Sequence, residues 1–94
     1  MRFEWDLRKA EANVRKHGVS FELARQVFVD PLQVSEQDRV EGGEYRWQTI
    51  GEVNGTTLLL VGHAVQEDEE GEIIRIISAR RATRSERRRY EQND

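Results

Sequence analysis

The chain has 94 residues, room for one small hydrophobic core and no second. Charged residues make up 35 % and apolar ones 36 %, the net charge is −3, there is no cysteine, and the longest apolar run is Leu58 to Val61. These exclude a disulfide framework, thiolate chemistry and a membrane-spanning helix. With Glu4 and Asp6 where a signal peptide would stand, the expectation is a soluble cytoplasmic protein, residues 1–94 forming a single domain.

Arg2 to Trp5 reads as a short strand with Phe3 and Trp5 on one face. Asp6 can cap a helix to about Lys16, since Leu7, Ala10 and Val14 recur at helical spacing and Gly18 suits a left-handed C-terminal residue. Ser20 then caps a second helix with Phe21, Ala24, Val27 and Phe28 as its buried stripe, stopped by Asp30-Pro31. The two form a helical hairpin. Leu32 to Val34 is a brief extended piece, and Ser35 to Glu44 a polar loop ending in Gly42-Gly43. Tyr45 to Val53 alternates as a strand, and Asn54-Gly55 is a type I′ hairpin turn. Thr56 to Val65 returns as a nearly continuous apolar strand. Gln66 to Glu72 is an acidic loop, and Ile73 to Ala79 a second central strand. Thr83-Arg84-Ser85-Glu86 is a capping box opening a last helix, with Gln92 to Asp94 fraying. A strand, a helical hairpin, a three-stranded antiparallel meander and a terminal helix make an α+β fold.

Charge is concentrated at the end. Residues Arg75 to Tyr90 hold seven arginines and one acid, so the rest of the chain carries −9 against a local +6. Of the 15 basic residues 13 are arginine, whose planar fork pairs bidentately with phosphate or carboxylate. A localised anionic partner fits this asymmetry better than a generally sticky surface.

Within this region Arg75 interrupts an isoleucine-rich strand, so it needs either a structural carboxylate or a phosphate to clamp. Strict alternation sets Arg75 opposite Ile74, Ile76 and Ser78, and sends Arg80 and Arg81 to opposite sides of the strand end. The start of the last helix adds free amides and a positive dipole beside them. Glu86 is either the capping-box acid alone or also an acid–base group. Tyr90, four residues on, is either a hydrophobic anchor or a stacking group. His63, polar within an apolar strand, is a structural hydrogen-bonder or the proton-transfer group. His17 suits a helix C-terminus, and Trp5 and Trp47 suit the core. Neither an HxxxH nor an HxH pair occurs, so no metal site and no cofactor is expected.

Phe3-Glu4-Trp5-Asp6 with Lys9 and Ala10, Asn13, Lys16 to Glu22, Val27-Phe28 and Asp30-Pro31 resemble the opening of the BrnT family. Ile50-Gly51, Arg75 to Thr83, Glu86, Arg87 and Tyr90 resemble its closing motif. The resemblance implies a RelE-like ribonuclease toxin of a type II toxin–antitoxin system, neutralised by a BrnA antitoxin whose complex binds operator DNA. It further implies metal-independent attack of a ribose 2′-hydroxyl on the adjacent phosphodiester, inhibiting translation and growth. Placed on that chemistry, Arg75, Arg80 and Arg81 clamp the scissile phosphate and His63 or Glu86 transfers the proton. Arg84, Arg87 and Arg88, with Tyr90, bind flanking RNA. The rival reading is a non-enzymatic arginine-rich module for nucleic acid or an acidic protein partner.

Overall fold

The computed structural model describes residues 1–92. Its elements run β1 (Arg2–Glu4), α1 (Leu7–His17), α2 (Phe21–Ala24), a 3₁₀ turn (Arg25–Val29), β2 (Val34–Glu41), β3 (Glu44–Val53), β4 (Thr57–Asp68), β5 (Gly71–Arg81) and α3 (Arg84–Glu91). The strands form one sheet in the order β1-β5-β4-β3-β2, in which β1 runs parallel to β5 and all other neighbours are antiparallel. This is an α+β architecture on a mixed sheet.

The local signals explain the helices. Asp6 accepts from the Arg8 and Lys9 amides at 2.8 and 3.1 Å, and Gly18 (φ 70°) closes α1 by donating to Val14 O at 2.8 Å. Ser20 caps α2, which continues only as a 3₁₀ turn instead of a full second helix. That turn lies close against β3: a Cβ on Gly51 would fall 2.7 Å from the Val27 side chain and 2.9 Å from its carbonyl. Only glycine allows this approach. Asn54 and Gly55 both take positive φ (55° and 74°), as the I′ turn requires, and pairing resumes at Val53–Thr57.

Two expected loops are strands. Ser35 to Glu44 is largely β2, an edge strand exposed along all but its first residue. Its polar side chains gave no alternation to read, because neither face is buried; backbone pairing with β3 makes the strand. The acidic Gln66 to Glu72 is likewise the end of a long hairpin, β4 reaching Asp68 and β5 starting at Gly71. Arg2 offsets its charge, pairing with Asp68 and approaching Glu70 at 3.9 Å. The meander therefore has four strands, not three. Asn93 and Asp94 of the expected frayed tail lie outside the described residues; Gln92 is the C-cap of α3.

The core lies between one face of the sheet and α1, α2 and the 3₁₀ turn, with Phe21, Val27, Leu59, Val61, Ile76 and Ala79 at its centre. Trp5 packs edge-on against Phe21, and Phe3 lies tilted against Phe28. Buried Asn13 fastens α1 to β5. Its amide donates to Val19 O and Ala79 O, both at 2.8 Å, and its carbonyl accepts from Ala79 N–H at 3.1 Å. Beyond Arg75, where β1 ends, this side chain takes the hydrogen-bonding place of a neighbouring strand. The other face carries buried Ile50, Leu58 and Leu60, and α3 lies against β3.

Candidate nucleic-acid interface

A β-bulge decides which arginines share a face. Gly62 pairs with Ser78 but His63 pairs with Ile76, so Ile77 is an extra residue in β5. Alternation is reset there. Ile74, Ile76, Ala79 and Arg81 point to the helix-covered face, whereas Arg75, Ser78 and Arg80 share the other. This corrects the strictly alternating expectation, which set Ser78 with Ile74 and Ile76, opposite Arg75. Odd spacing alone would have separated Arg75 from Arg80; the bulge unites them.

Both are fixed by carboxylates. Arg75 makes a bidentate pair with Glu44 at 3.0 and 2.5 Å, and Glu44 is thereby held below the usual carboxylate pKa. Arg80 pairs bidentately with Glu86 at 2.8 and 2.9 Å. Glu86 also completes the capping box, accepting from Thr83 N–H at 2.8 Å while its own N–H donates to Thr83 Oγ1. The Arg80 guanidinium above all lowers its pKa to about 2, against the opposing effect of burial. Glu86 is thus an ionised tether at neutral pH, joining β5 to the first turn of α3.

Beside Arg80 lies a cleft of about 190 Å³. Gly62 forms its floor, Arg46, Gln48, Ser78 and Arg80 its sides, and Asp38 and Arg39 its outer rim. The second irregularity of the sheet, between Gln37 and Val40 in β2, falls at Asp38 and Arg39, so both bulges border the same cleft. Arg46, Gln48 and Gly62 carried no sequence signal, since nothing in a linear pattern shows which strands adjoin.

His63 is placed beneath this cleft but faces the core. It is 5 % exposed, its ring meets Phe28 edge-on at 4.8 Å, and Nε2 lies 2.7 Å from Thr49 Oγ1, itself 2.7 Å from Ser35 Oγ. Burial depresses its pKa to about 4, so the ring is neutral near pH 7.

Arg84, Arg87 and Arg88 occupy the exposed side of α3 without an ion pair or side-chain hydrogen bond among the described residues, and Arg81 is exposed at the end of β5. Tyr90 is on the other side of α3. Its hydroxyl donates to Asp30 Oδ2 at 2.6 Å, and Arg89 approaches Glu36 at 3.3 Å. Burial opposes ionisation of Asp30, but the Tyr90 hydroxyl and the Glu52 and Leu32 amides outweigh it and lower its pKa. No three His, Cys, Asp or Glu side chains among the described residues converge as a metal site. No helix of the described residues is long and apolar enough to cross a membrane.

A family model described as "Ribonuclease toxin, BrnT, of type II toxin-antitoxin system" matches residues 5–86. The chain belongs to the BrnT family. The crystal structure of the Brucella abortus ribonuclease toxin BrnT is similar, at 27 % identity and a TM-score of 0.62, covering 89 % of this chain and 99 % of that one. No curated protein matches. The BrnT match ends at Glu86, so it includes the Arg75 and Arg80 face and the capping box but not the outer arginines Arg87 and Arg88.

Proposed function

We propose that this BrnT-family chain is a metal-independent cytoplasmic endoribonuclease whose phosphate site is the open-face arginine pair of β5. The observation that carries this reading is Arg80, fixed on a strand end by Glu86. Two of its N–H donors go to Glu86 and one to Arg81 O, which leaves two of the guanidinium's five for a substrate oxygen. In the reaction a ribose 2′-hydroxyl attacks the neighbouring phosphorus, the phosphorane gains negative charge, and the 5′-oxygen leaves as a 2′,3′-cyclic phosphate forms. Arginines already locked in place stabilise that charge without reorganising. Arg75 supplies a second guanidinium on the same face, and Arg81, Arg84, Arg87 and Arg88 contact flanking backbone.

Of the two groups the sequence offers for proton transfer, Glu86 is engaged by Arg80 and too acidic to protonate a leaving group near neutrality, while His63 faces the core. Arginine electrostatics therefore supply most of the acceleration, while water takes the 2′-hydroxyl proton and protonates the departing 5′-oxygen. A BrnA-type antitoxin presenting carboxylates would neutralise the toxin by covering these arginines, and operator DNA would be bound only through that complex. Purified protein should cleave naked RNA in EDTA and leave 2′,3′-cyclic phosphate ends. Activity lost to the chelator and restored by Mg²⁺ would give the wrong reaction class. Binding of RNA with no cleavage would favour the non-enzymatic module.

A further inference from the structure

Arg46 lies in the middle of the meander, far in sequence from the arginine-rich end, yet it lines the same cleft as Arg80, on a diagonal across β4: Gln48 and Ser78 flank Gly62 directly, with Arg46 two residues to one side and Arg80 two to the other. Its side chain is only 19 % exposed, and its buried Nε has no hydrogen-bond acceptor. The carboxylates near it are looser contacts, Glu44 at 3.3 Å and Glu41 at 3.6 Å, because Arg75 already holds Glu44 bidentately. Glu44 is shared with Arg75 and Glu41 with Arg39, so Arg46 is paired only loosely, and its part-buried Nε makes no well-formed hydrogen bond. Such a donor costs free energy unless an anion arrives. Between the two arginines stands Gly62. A Cβ there would meet the Ser78 hydroxyl at 2.6 Å, so glycine keeps the floor low beside that side chain.

We propose that Arg46 is a substrate-contacting arginine, which with Arg80 grips one RNA phosphodiester from opposite walls of the Gly62 cleft, and that Glu44 is its positioning residue. The proposal rests on the ribonuclease reading above and adds to it a residue on another strand. A phosphodiester has two non-bridging oxygens, and two guanidinium forks on β3 and β5 offer one donor set to each. Glu44 orients Arg46 without neutralising it, since Arg75 takes most of its hydrogen-bonding capacity. The two bulges, at Ile77 in β5 and at Asp38 and Arg39 in β2, border this cleft, and bulges are over-represented next to active sites.

The test compares Arg46→Gln, Arg46→Lys, Glu44→Gln and Arg80→Ala in single-turnover cleavage at saturating RNA. Binding of a fully 2′-O-methylated RNA oligonucleotide, which cannot react by 2′-attack, is measured beside it. Arg46→Gln should slow cleavage about 10²-fold, the usual loss of one transition-state donor. Arg46→Lys should keep wild-type affinity and salt slope for the methylated RNA yet stay about tenfold slow, because it restores charge but not the fork. Glu44→Gln should lower the maximal rate about tenfold and leave the half-saturating RNA concentration nearly unchanged. Cleavage at the wild-type rate by Arg46→Lys, or by an Arg46→Gln protein that melts cooperatively, overturns the proposal. If Arg80→Ala is then inactive, the ribonuclease site stands and only Arg46 was misplaced. If Arg80→Ala is also fully active, the site itself was misread. Loss of antitoxin binding with intact cleavage in Arg46→Gln equally overturns it, making the cleft a protein interface.

Discussion

The arginines of the open sheet face and those on the outside of α3 have the same side chain and opposite circumstances. Arg75 and Arg80 stand on a paired strand, each held by two hydrogen bonds to one carboxylate. Arg84, Arg87 and Arg88 project from a helix into solvent with no ion-pair or hydrogen-bond partner for their side chains among the described residues. Held arginines have already lost rotamer freedom, so their geometry is available to a transition state at little further entropic cost. Free arginines keep their full charge and reach, which suits attraction of a polyanion or an acidic protein surface and is screened by salt. Abundance of arginine is therefore a poor guide to catalysis; a fixed direction is the better one.

The sharpest way to break that division is Arg80→Ala. Cleavage should fall by about 10²–10³ while the protein still melts cooperatively. A folded Arg80→Ala protein with full toxicity in cells would dissolve the distinction between held and free arginines.

His63 tests whether the floor under the held arginines is structural. Its folded pKa of about 4 lies below the ordinary 6.5, so the unfolded chain binds the proton more readily. Stability from this group is fully present above pH 6.5 and declines as pH falls from there toward 4, by at most about 3 kcal/mol. The lowered carboxylates, Glu86 among them, lose their contribution only further down, below about pH 4.5. Chemical denaturation between pH 7 and 5 should show this slope in the native sequence and lose most of it in His63→Gln. An unchanged slope in that variant would mean that another group titrates there.

The smallest effect belongs to the free arginines. Each phosphate contact on a single strand contributes about 0.7 to the slope of log affinity against log salt, so Arg87→Ala with Arg88→Ala should flatten it by about 1.4. Cleavage at saturating RNA should barely change, because such contacts hold substrate and transition state alike. An unaltered salt slope with lost antitoxin binding would reassign the α3 stripe to the protein partner.

Local chemistry made part of this protein legible from its residues alone. Asp6, Gly18, Ser20, Asn54-Gly55 and the Thr83–Glu86 box each satisfy a nearby backbone group or supply a positive φ, and each stands where its residue type demanded. The apolar strands and the BrnT family motif were equally legible. The rest depended on contacts between distant segments. β2 is a strand only because β3 offers it a ladder, and its polar side chains could not announce that. The extra residue at Ile77 moved Ser78 and Arg80 onto the face of Arg75, and one inserted residue leaves no trace in composition or spacing. Glu44 and Arg46 met Arg75 and Arg80 because β3 and β5 flank β4, at separations of 31 and 34 residues along the chain. A linear pattern reports the period of a strand, whereas the cleft depends on which strands are neighbours and where their register slips.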